Sequence, residues 1–288
     1  MSAIDRAFDA ARAATRAGRG RVVFPEWDEP RIAAARAMLE AGGLARPLPP
    51  AAPTAAQAAA LAGARGVSPG LAARMLDRPL IRAAAMVAAG EADAMVAGID
   101  APTRRVIEAA GLAVGLAEGV AAPSSFFLMI LPDGREFVLA DCAVNVDPDA
   151  ATLAAIARAS AASATALLGA ARVALLSFST GGSGAGPSVD RVREAAVLSG
   201  FPGPVQADAA LSAAIAERKG VAFPDANTLV FPCLDAGNIA YKLLQELAGA
   251  QAVGPFLQGF RRPVCDLSRG ASAEDVVAAT AVTLALAG

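Results

Sequence analysis

Histidine is absent from the 288-residue chain. Its absence excludes Ser-His-Asp and Cys-His catalysis, His-ligated zinc and any histidine proton shuttle. Lysine occurs only at Lys219 and Lys242, which are the two positions a Schiff-base mechanism would have to use. The three cysteines, Cys142, Cys233 and Cys265, are odd in number, far apart and form no CxxC pair. Neither a metal site nor a disulfide framework is indicated, and they read as small buried residues in a reducing cytoplasm. No Gly-Lys-Ser/Thr sequence occurs, which removes the Walker phosphate loop. Basic residues are not in excess, the net charge being −2, so the concentrated basic face of a nucleic-acid binder is not expected. Residues 1–21 are studded with arginine and lack the apolar stretch of a signal peptide. Apolar stretches such as 276–288 read as too short to span a bilayer. The expectation is a soluble cytoplasmic protein with no membrane contact.

Apolar residues make up 55% of the chain and charged residues 18%, a composition that folds. The length suits one large domain or two small ones. Aromatics are only 5%, so the core must be built from alanine and aliphatic side chains. The spacing predicts helices over 2–18, 31–41, 78–89, 103–116, 149–168, 189–198, 209–216, 238–247 and 273–286. Short β-branched or apolar runs predict strands at 21–24, 92–97, 173–177, 205–207, 228–231, 252–254 and 264–267. Residues 45–70 read as a loop with one weak helix. Two apolar runs, 125–131 and 136–140, flank Pro132-Asp133-Gly134 and predict a β-hairpin inside a β/α pattern, hence a mixed sheet. The fold class is α/β, with helices on both faces of a sheet and the helix 149–168 as the divide between two lobes.

Two strand-to-helix junctions carry chemistry. The Gly-rich run 181–186 precedes a helix, where free N–H groups and the positive dipole end favour an anion; a flexible turn explains the same glycines equally well. Its GxGxG spacing is not the GxGxxG of dinucleotide folds. The second junction, 266–275, reads DLSRGASAED. Ser272 with Asp275 three residues on forms a capping box, the bland role for Asp275. The functional role is a hydroxyl, a guanidinium and a carboxylate converging at one helix start, with arginine suited to bidentate phosphate binding and the acid to general-base work. Asp235 to Asn238 sits at a third such junction, where Asp235 is a cap candidate.

These residues resemble the phosphate acetyltransferase / phosphate butyryltransferase family. The matching stretches are RVVFPE (21–26), GEADAMVAG (90–98), FVLADCAVNVDPDA (137–150), RVALLSFSTGGS (172–183), DAAL (208–211), LVFPCLDAGNIAYKLLQ (229–245) and VGPFLQGFRRPVCDLSRGASAEDVV (253–277), in family order. The resemblance implies a two-lobed fold similar to that of the isocitrate and isopropylmalate dehydrogenases. Lobe I is expected at 1–145 plus 262–288 and lobe II at 146–261, with the active site in the cleft between them, as a homodimer. It implies acetyl-CoA + phosphate ⇌ acetyl phosphate + CoA, with coenzyme A as substrate and neither metal nor cofactor. Carried over by position, Asp275 takes the thiol proton of CoA, Arg269 holds the phosphate or polarises the carbonyl, and Ser268 hydrogen-bonds the developing charge. Ser179, Thr180, Gly182, Ser183, Asn238, Gly270, Arg104 and Arg105 are implied to bind substrate.

Three positions depart from the family pattern. Ala101 stands after the VAG run, Glu108 where an arginine contacts phosphate, and Ala185 where a lysine is common. Arg104 and Arg105 lie about one helical turn from Glu108 and are candidates to replace that arginine. The alternatives are a non-catalytic homologue that binds CoA or acyl phosphate, and an acyltransferase for propionyl or butyryl groups. A dehydrogenase would need a dinucleotide loop and a carboxylate cluster that the sequence does not offer.

Overall fold

The structure is a computed structural model and describes residues 1–221 and 225–287. In chain order the first elements are α1 (Ala3–Arg16), β1 (Arg21–Val23), α2 (Pro30–Ala41), β2 (Arg46–Leu48), α3 (Ala55–Arg65), α4 (Pro69–Met75), α5 (Pro79–Ala88), β3 (Ala94–Ala97) and α6 (Thr103–Ala113). Then come β4 (Ser124–Ile130), β5 (Glu136–Ala140), α7 (Ala150–Leu168), β6 (Val173–Leu175), α8 (Pro187–Ser199), α9 (Ala207–Leu211) and α10 (Ala213–Lys219). The chain ends with β7 (Thr228–Val230), α11 (Leu234–Ala248), β8 (Gln251–Gln258), β9 (Val264–Asp266) and α12 (Ala273–Ala285).

The chain divides into two compact units, Met1–Val120 with Val253–Gly288, and Ala121–Ala252. The expected lobes put the hairpin in the first lobe and a boundary in front of the long helix. In the structure the hairpin belongs to the second unit, because β5 pairs in parallel with β7. The helix α7 lies inside that unit too, packed on α8, β5 and β7.

In the first unit the strand order is β2-β1-β3-β9-β8, parallel except for the β8–β9 pair. The alanine content explains how the helices close on it. α1 turns Ala3, Ala7 and Ala11 inward, a stripe at a spacing of four. It packs against α12, whose residues from Val276 to Leu284 are all buried. Small side chains on facing helices let the backbones approach closely, so the packing needs few aromatics. α12 also touches β3, β9 and α2, while α5 and α6 reach the same strands in a second group with α3.

In the second unit the order is β4-β5-β7-β6, with β4 and β5 antiparallel and the others parallel, so the sheet is mixed as the hairpin predicts. The turn forms on Pro132-Asp133-Gly134: Arg135 N donates to Asp133 Oδ1 at 3.0 Å and Leu131 N to the Arg135 carbonyl at 2.9 Å. Phe127 and Tyr241 stack with ring centroids 4.1 Å apart inside a cluster with Met129, Leu139 and Leu229.

Several element expectations are corrected. Residues 45–70 hold β2, α3 and the start of α4. Thr54 and Gln57 form a capping box on α3, and Ser68 caps α4 ahead of Pro69, signals that the alanine and proline content obscured. Val205 makes a single bridge to Leu176 in place of a strand. The helix expected at 209–216 is two short helices, broken where Ser212 is extended. The strand expected at 252–254 is the eight-residue β8. Among the described residues α7 is, by length and composition alone, the one helix long and apolar enough to cross a bilayer, against the expectation that no stretch reaches that length. Eight of its residues, from Ala150 to Leu167, are buried. Cys142 and Cys265 are buried as expected, but Cys233 is half-buried at the cap of α11.

Candidate active site

Residues 266–275 leave β9 and enter α12. Leu267 N donates to the Ala97 carbonyl at 2.6 Å, which continues the strand pairing past Asp266. The chain then turns: Ala271 N donates to the Ser268 carbonyl at 2.9 Å. Ser268, Arg269 and Gly270 are exposed. Arg31 on α2 holds the turn from below, its Nη1 donating to the carbonyls of Arg269 at 2.8 Å and Ala271 at 3.1 Å. The Arg269 guanidinium makes no hydrogen bond or ion pair among the described residues, so it is free to take an anion. Ser272 caps α12, accepting from Asp275 N at 3.1 Å. Asp275 Oδ2 accepts from Ser272 N at 3.0 Å and from Ser272 Oγ at 3.1 Å. The capping box is therefore real. It engages one carboxylate oxygen, and Oδ1 is uncommitted among the described residues, so capping and base roles are compatible in Asp275.

Arg104 and Arg105 occupy the exposed first turn of α6. They line a cavity of about 850 Å³ in the first unit, with Arg78, Glu26, Asp100 and Glu108 also on its wall. Ser268, Arg269 and Asp275 are not among its lining residues. Arg104 and Glu108 share the cavity without an ion pair between them. The wall thus mixes both signs, and Glu108 lowers its attraction for an anion.

Two acids unnoticed in the sequence organise this region. Glu26 accepts from four successive backbone N–H groups, those of Gly98 at 2.9 Å, Ile99 at 3.3 Å, Asp100 at 2.9 Å and Ala101 at 2.8 Å. Asp266 is 1% exposed and accepts from Thr103 Oγ1 at 2.5 Å. Burial pushes its carboxyl up to about 7, and the negative charge of Glu26 acts in the same direction, against the Thr103 hydrogen bond. Gly98 is required beside it: φ is +104°, and a Cβ there would collide with Asp266 Oδ1. The sequence signals were present, Glu26 in the FPE after β1 and Asp266 at the head of DLSRG, but each read as part of a strand end.

In the second unit the expected binding residues after β6 turn their polar groups on one another. Ser179 is fully buried, and its Oγ accepts from Gly184 N at 2.8 Å and lies 3.3 Å from Ser183 Oγ. Thr180 N donates to Ser183 Oγ at 3.0 Å, and Thr180 Oγ1 accepts from Gln206 N at 3.0 Å. Gly182 is exposed at the tip. Asn238 Nδ2 donates to the Cys142 carbonyl at 3.0 Å. That contact needs Gly237, because a Cβ there would collide with the Asp141 carbonyl. Asp141, buried, accepts from Ser125 Oγ and from the backbone N–H groups of Ala143, Val144 and Asn145, fixing the loop under α11. Asp208 is held by Lys219 at 2.8 Å, which keeps its carboxyl below the usual range.

The family model for phosphate acetyl/butaryl transferase matches residues 48–284. The chain belongs to this family. It is 39% identical to a phosphate acetyltransferase of Paracoccus denitrificans over 98% of each chain. It is 38% identical to one of Pseudomonas aeruginosa, where 94% of this chain matches 44% of a longer protein. Among solved structures, a phosphotransacetylase from Streptococcus pyogenes superposes with a TM-score of 0.91 at 33% identity, covering 100% and 99% of the two chains. The EutD phosphotransacetylase from Staphylococcus aureus gives 0.89 at 31%, covering 99% of each. These matches bear out the α/β fold and the resemblance read from the motifs.

Proposed function

We propose that this phosphate acyltransferase interconverts acetyl-CoA and phosphate with acetyl phosphate and CoA by direct attack of the CoA thiolate. In the direction of acetyl-CoA synthesis, Asp275 takes the thiol proton through its uncommitted oxygen. The sulfur forms a bond to the acetyl carbonyl carbon, the carbon–oxygen bond to phosphate breaks, and inorganic phosphate leaves. Arg269 binds that phosphate as a charge-assisted fork, and Ser268 donates to the oxygen on which charge develops. The observation that carries this reading is the 268–275 segment, which presents an unpaired guanidinium, an exposed hydroxyl and a half-free carboxylate on one turn and helix start. The scheme uses this chain's side chains and coenzyme A as substrate, with no metal or covalent intermediate.

We read the chain as a cytoplasmic homodimer without nucleic-acid or membrane partners. The unpaired cysteines support a reducing compartment. A stripe on α11, Ile239, Leu243 and Leu247, leaves 56%, 51% and 81% of these side chains exposed, which supports a self-association surface. The test of the activity is phosphate-dependent release of CoA from acetyl-, propionyl- and butyryl-CoA. Turnover fastest with acetyl-CoA is the expected result. No turnover with any of the three, while CoA still raises the melting temperature, would overturn it in favour of a binding-only homologue.

A further inference from the structure

Burying a carboxyl group costs free energy that an apolar side chain of similar size would not, so a buried acid with an incomplete set of partners calls for a reason. Asp266 is such a group. It is 1% exposed, Oδ2 accepts from Thr103 Oγ1, and Oδ1 is buried with no partner among the described residues. Its place in the chain supplies the reason. Asp266 stands two residues before Ser268 and three before Arg269, and Thr103 stands immediately before Arg104 and Arg105. One side-chain hydrogen bond therefore joins the two segments that carry the cationic candidates of the first unit.

Resting on the acyl-transfer reading above, we propose that Asp266 is a positioning residue: through Thr103 it fixes the Ser268–Arg269 turn against the start of α6, so that Arg269 is held in place to take the phosphate. The surroundings lock both partners. Glu26 grips the four amides of Gly98–Ala101 leading into α6, and Arg31 grips the carbonyls of Arg269 and Ala271. The Thr103–Asp266 bond ties these two clamped segments through their side chains, next to the backbone bond from Leu267 N to the Ala97 carbonyl. Asp266 can lie there because Gly98 has no side chain to displace it. Burial shifts the Asp266 carboxyl toward its protonated form, whose enclosure costs less than that of the carboxylate, in keeping with a geometric role.

The experiment is initial-rate kinetics of the full chain, with phosphate varied at saturating acetyl-CoA and acetyl-CoA varied at saturating phosphate. Thr103→Val, nearly isosteric, is expected to lower kcat/KM for phosphate about tenfold, because loss of alignment by a fraction of an ångström has effects of that size. Its KM for acetyl-CoA stays at the wild-type value, while its melting temperature falls by roughly a few degrees because a buried carboxyl loses its partner. Thr103→Ser, which keeps the hydroxyl, brings kcat/KM for phosphate back to within about twofold. Thr103→Val combined with Asp266→Ala loses no more than Asp266→Ala alone, since both remove the same tie. Wild-type kcat/KM in Thr103→Val, or losses that multiply in the double variant, would overturn the proposal while leaving acyl transfer standing. A wild-type chain with no turnover contradicts the acyl-transfer reading and this proposal with it.

Discussion

The loop after β6 and the loop after β9 are both strand-to-helix turns made of small polar residues, yet they dispose of their polar groups in opposite ways. After β6, the hydroxyls of Ser179, Thr180 and Ser183 bond to backbone groups and to Gln206 around the loop, with the buried Ser179 at its centre. After β9, Ser268 and Arg269 face solvent, and the loop is held from outside by Arg31, by the Asp266–Thr103 bond and by the Ser272–Asp275 cap. The first loop satisfies its own hydroxyls. The second leaves its charged side chain unpaired because other residues supply the rigidity. The Arg269 side chain stays uncommitted because the frame around it is built from other residues.

The largest expected effect separates the two loops by pH. Only the β9 loop rests on a buried acid. The unfolded Asp266 carboxyl ionises near 3.8 and the folded one near 7. Between these values the unfolded chain releases a proton that the folded chain keeps. This group's contribution to stability is therefore full below 3.8, declines across the window and is lost above 7. At about 1.4 kcal/mol per pH unit, the decline is of the order of 4 kcal/mol at its limit. Asp266→Asn cannot ionise, so its stability relative to wild type should rise from pH 4 to pH 8 in denaturant titrations. A difference that stays constant with pH would mean that the Asp266 carboxyl is ionised in the folded protein.

Next in size is Asp275→Asn. Loss of a general base lowers kcat by about a hundredfold or more, with CoA binding nearly intact. Near-normal turnover accompanied by a stability loss of about 1 kcal/mol would reduce Asp275 to its capping role and remove the contrast between the loops. The smallest effect belongs to the β6 loop. Ser179→Ala removes the acceptor for Gly184 N and should lower stability by about 1–2 kcal/mol, independent of pH, as read by thermal unfolding. An unchanged melting temperature would show that this loop does not depend on its own hydroxyls.

The legible part of the sequence was the part with local signals. The hairpin announced itself in Pro132-Asp133-Gly134, α12 in the Ser272–Asp275 box, and the family in motifs spread over the chain. Local signals also hid under composition: the Thr54–Gln57 box that starts α3 lay in a stretch dominated by alanine and proline. Glu26 and Asp266 could not be read, because their roles depend on partners 72 to 75 residues away in one case and 163 in the other. Nothing in FPE or DLSRG states which amide or hydroxyl will meet the carboxylate. The unit boundaries were misplaced for the same reason, since the β5–β7 pairing joins segments far apart in the chain. Ser179 and Ser183 were identified as binding residues from position alone; that they bond to each other's loop follows from the turn geometry, which a linear pattern does not encode.

The central claim is that the unpaired guanidinium of Arg269 is where phosphate is held. Initial rates of Arg269→Gln, with phosphate and acetyl-CoA varied in turn, test it most directly. Removing a hydrogen bond to a charged group costs roughly 1.5–3 kcal/mol, so the phosphate KM should rise by about tenfold to a hundredfold while the acetyl-CoA KM stays near wild type. A defect confined to acetyl-CoA, with phosphate KM unchanged, would contradict the account.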